Sequence, residues 1–88
     1  MIKPKDEEIK FPADWNFRVV VDAANDKCLD NLCQVLRQNG FDAVPEPKEK
    51  SKTGKYQSFR IAVVFDNREI MERLSSELGA VDGVKFLL

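Results

Sequence analysis

Apolar and polar side chains alternate along residues 15–23: Trp15, Phe17, Val19 and Val21 fall on one side, Arg18, Val20 and Asp22 on the other. A period of two with this much valine predicts a strand, its first side against a core and its mixed side toward water, a ligand or a partner. The period then changes. Asn25 and Asp26 offer helix N-caps, and Leu29, Leu32, Cys33 and Leu36 recur at helical spacing, with Cys28 and Val35 at the margins of the stripe. Lys27, Asp30, Asn31, Gln34, Arg37 and Gln38 make its wet side, and Gly40 is placed to end the helix in a left-handed cap. Residues 41–50 predict a weak strand carrying Pro45 and Pro47. Residues two apart send their backbone groups to the same border, so both missing donors predict an edge strand.

Residues 51–55 predict a flexible turn around Gly54. The strongest strand follows over residues 56–66, with Gln57, Phe59, Ile61, Val63 and Phe65 facing inward and Tyr56, Ser58, Arg60, Ala62 and Val64 facing outward. Asp66 has capping-box spacing to Glu69. Ile70, Met71, Leu74 and Leu78 form the buried stripe of a second helix, Glu69/Arg73 and Arg68/Glu72 lie four apart on its outside, and Gly79 closes it. Residues 81–88 make a last strand, with Gly83 near its start.

The resulting order is strand, helix, strand, strand, helix, strand. Right-handed crossovers then favour one α+β solution, a ferredoxin-like βαββαβ two-layer sandwich with both helices on one face of an antiparallel sheet ordered 4-1-3-2. That order puts the two strongest strands at the centre and the proline-bearing strand at an edge. Residues 11–88 form the domain, and residues 1–10, which mix three lysines, three acids and a proline, are expected to be a mobile tail.

Composition narrows the function. The 88 residues are 43% hydrophobic and 33% charged, a globular balance, and the formal net charge of −1 gives no general attraction to nucleic acid or an anionic membrane. No apolar run is long enough to cross a bilayer and residues 1–10 lack the apolar segment of a signal peptide, so the expected location is the cytoplasm. Cys28 and Cys33 are five apart, about 140° around a helix, so two reduced thiols are expected. With no histidine and no Cys-x-x-Cys spacing, neither a zinc site nor any other cofactor is expected.

Phe11-Pro12 followed by Phe17-Arg18-Val19, the run Ser51-x-x-Gly54-x-Tyr56-x-Ser58, and the closing Glu77-Leu78-Gly79 with Asp82, Val84 and Leu88 stand in the order and spacing of a known family. Over Phe11 to Leu88 the chain resembles the YbeD-like family of small, uncharacterised bacterial proteins. The resemblance implies the ferredoxin-like fold, a likeness to ACT regulatory domains, and the label of lipoate-binding regulatory protein that some members carry. The chain departs from amino-acid-binding ACT domains in the turn after the first strand, Asp22-Ala-Ala-Asn-Asp26, which lacks the glycine that lets backbone approach a ligand.

The candidate site is the outward sheet face. Arg18, Tyr56, Ser58 and Arg60 surround Val20, Ala62 and Val64, and Lys50, Lys52 and Lys55 stand at the hairpin end. An apolar floor inside a cationic rim suits an acidic partner protein, a second copy of the chain, or a small carboxylate with an apolar tail such as lipoate or an amino acid; a plain solvated face is the bland alternative. Of these residues Arg18, Val20, Lys52, Lys55, Tyr56, Ser58 and Arg60 are the expected binding set. The expected role is a non-enzymatic regulatory or protein-interaction module. RNA recognition on the same topology needs outward aromatics on the central strands, and Tyr56 alone provides one. Catalysis is not expected. There is no histidine base, Cys33 falls in the buried stripe, and Cys28 lies near a helix N-terminus, which favours a thiolate, but without a base to activate it.

Overall fold

The computed structural model describes residues 10–88. The mobile tail expected over residues 1–10 lies, apart from the exposed Lys10, outside the described residues. The elements are β1 (Ala13–Asp22), α1 (Cys28–Gln38), β2 (Glu46–Lys50), β3 (Tyr56–Phe65), α2 (Arg68–Gly79) and β4 (Val84–Leu87). All strand pairs are antiparallel and the sheet order is β2-β3-β1-β4, the expected ferredoxin-like arrangement. β1 and β3 pair without a register break from Ala13↔Phe65 to Asp22↔Tyr56, which makes this ladder the rigid centre of the sheet.

Alternation fixes the two faces. Phe17, Val19 and Val21 of β1 and Phe59, Ile61, Val63 and Phe65 of β3 are buried under both helices, against Leu32 and Leu36 of α1 and Leu74 and Leu78 of α2. The centre of the core is aromatic: Phe65 meets Phe17 and Phe41 edge-on, with centroids 5.9 Å and 5.7 Å away. Trp15 shares the parity of Phe17 but sits at the sheet end and is 37% exposed. It touches the core through an edge contact with Phe17 at 6.5 Å.

The helices differ from expectation in three places. In α1 the buried stripe is Cys28, Leu32 and Leu36, so Cys28 is wholly buried while Cys33 is half-buried and Leu29 is 37% exposed. The expected ranking of the two cysteines is thus reversed, because the chain brings Gly83 down onto the start of α1 and seals Cys28 beneath it. Neither Asn25 nor Asp26 caps α1; the cap position is Lys27, which makes no side-chain bond. Asn25 instead accepts from the Lys27 amide at 3.2 Å and reaches Asp82 at the other end of the chain. In α2 the cap is Asn67, not Asp66: its Oδ1 accepts from the Ile70 amide at 2.9 Å. The start lies one residue later because Asn67 takes the extended conformation a cap needs. Replacing Asn67 with alanine is expected to remove about 1 kcal/mol of stability. That lowers the melting midpoint by about 4–8 °C, whereas Asp66→Ala leaves it nearly unchanged; thermal melts of the two variants check the assignment.

Both helices end as backbone geometry requires. Gly40 follows α1 with φ +83°, the left-handed cap expected there. Gly79 is the last residue of α2, but Ala80 occupies the cap position. Asn39 ties the helix ends together: its Nδ2 donates to Val35 O at 2.9 Å and to Glu77 Oε1 at 2.8 Å. Glu69–Arg73 and Arg68–Glu72 form the expected exposed pairs, at 3.4 Å and 3.9 Å.

β2 is shorter than expected, confined to Glu46–Lys50, and every residue of it is exposed at the sheet edge. The hairpin turn that follows is closed by Ser51. Its amide donates to Tyr56 O at 2.9 Å, its carbonyl accepts from Gly54 N at 2.9 Å, and its hydroxyl accepts from Tyr56 N at 3.1 Å. The sequence predicts flexibility around Gly54; the structure shows a turn held from both sides by one serine. No helix among the described residues is long and apolar enough to cross a membrane.

Candidate functional site

With both helices on one side, no described element covers the other side of the sheet. Register places its side chains in rows, and three of them build the candidate site. In the first, Arg18 of β1 stands opposite Arg60 of β3, with Glu46 of β2 beyond Arg60 and Leu88, paired to the Arg18 backbone in both directions at 2.9 Å and 2.8 Å, on the far side. In the second, Val20 stands between Ser58 and Phe86. In the third, Asp22 faces Tyr56.

The first row has an unusual electrostatic makeup. Arg18 and Arg60 are like charges directly opposite each other on adjacent central strands, a pairing that destabilises a sheet. Neither makes an ion pair among the described residues. Glu46 is taken by Lys48, with which it forms an ion pair. The hydrogen bond and charge of Lys48 hold the Glu46 carboxyl below its ordinary value, and Arg60 adds a smaller pull in the same direction.

Around the second row lies a hollow of about 530 Å³, lined by Arg18, Val20, Tyr56, Ser58 and Phe86, with Lys50, Lys85 and Glu49 among its other walls. Phe86 is 64% exposed, and Val64 and Leu88 add further exposed apolar surface to the same face. A second hollow of equal volume lies toward the Trp15 end, with Asp14 and Asp42 beside Trp15 and Phe41 and no lysine or arginine in its lining. The open face is thus basic around Arg18 and acidic toward Asp14.

Of the expected binding residues, Arg18, Val20, Tyr56 and Ser58 share the first hollow, while Arg60 stands beside them in the adjoining groove with Lys48 and Glu49. Lys55 lines a neighbouring hollow with Asp22 and Lys85, and Lys52 stays in the exposed turn. Of the three hairpin lysines, Lys50 borders the first hollow, joined there by Lys85, which the sequence reading did not single out. Phe86 and Leu88 escape a sequence reading for a specific reason. Val84, Phe86 and Leu88 share one parity along the chain, but an irregularity in the β1–β4 register between Val20 and Val21 breaks that parity. Val84 and Leu87 pack on the core, and Phe86 is turned out.

The cysteines lie away from this face's chemistry. Burial pushes the Cys28 thiol above its ordinary value, and the negative charges of Asp82 and Asp22 push it further in the same direction. A thiol so placed stays protonated near neutral pH and is a poor nucleophile. Among the described residues no group of three or more Cys, Asp or Glu side chains is arranged to hold a metal ion.

Comparison with known proteins agrees with this architecture. The chain is 37% identical to a UPF0250 protein of Shewanella loihica over 82 residues, covering 93% of this chain and 92% of the relative. It is 36% identical to a UPF0250 protein of Shewanella sediminis over 84 residues, covering 94% and 93%. The solution structure of HP0495 from H. pylori superposes with a TM-score of 0.78 at 22% identity, covering all of this chain and 97% of the other. The uncharacterised TM1266 from Thermotoga maritima superposes at 0.62 with 17% identity, over 85% of this chain and 92% of that one. At those identities the structural likeness speaks for the fold alone. The family model for a protein of unknown function, DUF493, matches residues 6–88, and the chain belongs to this family, as the YbeD-like resemblance of its sequence implied.

Proposed function

We propose that this domain is a non-enzymatic, regulatory protein-interaction module of the cytoplasm, and that its open sheet face docks an acidic partner protein carrying apolar side chains. The observation that carries this reading is the Arg18–Arg60 pair. Two like charges with no ion pair among the described residues stand opposite each other at the centre of the sheet, which costs stability, and they share this face with the half-buried Val20 and the exposed Val64 and Phe86. A partner with carboxylates set among apolar groups satisfies both features at once.

Two rival occupants of the face fit less well. A second copy stacked face to face about a two-fold axis over the Arg18–Arg60 row would lay those arginines on their own images, so a homodimer centred on this row is not self-complementary. Single-stranded RNA gains Phe86 as a second outward aromatic besides Tyr56, but Asp22, Glu46 and Glu49 stand on or around the same surface and repel phosphate. Absence of histidine and the protonated, buried Cys28 support a role without catalysis.

The test is affinity capture from native lysate, with and without nuclease treatment, using the wild-type chain and Arg18→Glu. The substitution converts the like-charge pair into an attractive one, so the variant is expected to melt at or slightly above the wild-type temperature. Partner recovery is expected to fall by about tenfold or more. Undiminished recovery with Arg18→Glu, or loss of the captured material on nuclease treatment, would contradict the proposal.

A further inference from the structure

Among the described residues, Ser58 is the polar side chain whose burial its position does not explain. It points away from the helices, yet it is 8% exposed. Its carbonyl accepts from Gln57 Nε2 at 2.9 Å, but its hydroxyl makes no hydrogen bond to any described residue. A buried hydroxyl without a partner carries an unrecovered desolvation cost, and such groups ordinarily find a bond. This one lines the hollow of about 530 Å³ on the open face.

The neighbours of Ser58 define what the hollow can hold. Val20 lies directly across the β1–β3 ladder, Phe86 one strand further, and Arg18 on the diagonal. Diagonal positions are about 7–8 Å apart, within reach of a guanidinium. A hydroxyl donor and a guanidinium, neither paired among the described residues, therefore line one hollow beside an apolar wall. That combination recognises a carboxylate on a short apolar stem, since a charged acceptor gains most from such donors when the surroundings are partly dry. Glu49 at the rim disfavours a group of higher negative charge.

We infer that Ser58 and Arg18 form the anchoring subsite of the docking face and take one glutamate or aspartate carboxylate of the partner protein, while Val20 and Phe86 pack against an apolar side chain next to it. This rests on the interaction-module reading and adds the point of attachment. A partner segment fits better than a free small acid, because exposed apolar surface on the same face extends beyond the hollow to Leu88, which a small molecule would leave uncovered.

The subsite is tested by titrating the isotope-labelled full chain with the capped tripeptide Phe-Glu-Leu, its Phe-Gln-Leu counterpart, and phenylacetate, following the backbone amides of Arg18, Val20 and Ser58. The glutamate peptide is expected to shift these amides at millimolar concentration. Its glutamine counterpart binds about tenfold more weakly, as does the glutamate peptide to Ser58→Ala. Glu49→Gln tightens binding by removing the opposing charge. Absence of shifts at these amides, or equal affinity for the two peptides, overturns the subsite. Phenylacetate binding as tightly as the glutamate peptide overturns the assignment to a partner side chain. The native partner separates this inference from the docking reading itself. If Arg18→Glu loses the captured partner while Ser58→Ala keeps it fully, the subsite is wrong and the face stands; if both keep it, the face is wrong as well.

Discussion

Truncating Phe65 to alanine is expected to cost about 3–5 kcal/mol of folding stability, the range for removing a fully buried aromatic ring. Phe65 has no exposed surface and joins the two halves of the core. Its ring lies edge-on to Phe17 of β1 on one side and to Phe41 of the loop after α1 on the other. Edge contacts between rings add to the area they bury, so neighbours cannot recover the loss by a small collapse. A domain of this length has roughly 4–13 kcal/mol in total, so the variant stands near the edge of folding. Urea titration gives the value directly through a lowered midpoint at unchanged slope. A loss under about 1 kcal/mol would mean that β3 does not present this side to the helices.

Gly83→Ala is expected to cost about 2–3 kcal/mol, from two sources that act together. Gly83 has φ +95°, where a side chain meets its own backbone. A Cβ there would also lie 2.8 Å from Asn25 Nδ2 and 3.2 Å from Cys28 Sγ. Asn25 can yield only by giving up its long contacts to Asp82, and the Cys28 sulfur is wholly enclosed. Gly40 provides the comparison, because its φ is also positive, +83°, while a Cβ there meets nothing within 4 Å. Gly40→Ala should therefore lose about 1 kcal/mol from backbone strain alone. Equal losses at the two positions, read from urea midpoints, would remove the close approach of the β4 entry to α1 from the account.

That close approach also marks where sequence ceases to be a guide. The central ladder was legible because Phe17, Val19, Phe59, Ile61, Val63 and Phe65 alternate without interruption, and one face of a strand buried means every other residue buried. The edge position of β2 was legible from Pro47, whereas Pro45, expected in the same strand, precedes it and is buried. The α1 stripe was misjudged by one position because local spacing cannot distinguish Cys28 from Leu29 as the inward residue. A contact 55 residues away, from Gly83, decides it. The Asn67 cap was missed because Asp66 and Asn67 are both good caps and only the backbone turn chooses between them.

The candidate site divides in the same way. Arg18, Val20, Tyr56, Ser58 and Arg60 follow from parity on the two regular strands, and the structure places them on one surface. What parity could not give was relation across strands. That Arg18 faces Arg60, and that Ser58 lies in a hollow with its hydroxyl bonded to no described residue, depends on register. Lys52 and Lys55 were attractive as a lysine-rich turn, but Ser51 closes that turn so that Lys50, before it, borders the hollow. Phe86 needed the β4 irregularity, which leaves no mark in composition.

Arginine-selective labelling with phenylglyoxal, read by mass spectrometry on the free chain and on the chain captured with its partner, tests the central claim most directly. Arg18 and Arg60 lie on the open sheet face, while Arg37 and Arg73 are exposed on the helices of the opposite layer. Protection of Arg18 and Arg60 in the complex, with Arg37 and Arg73 labelled as in the free chain, is the predicted result. Protection of the helix arginines with Arg18 and Arg60 still reactive would contradict it.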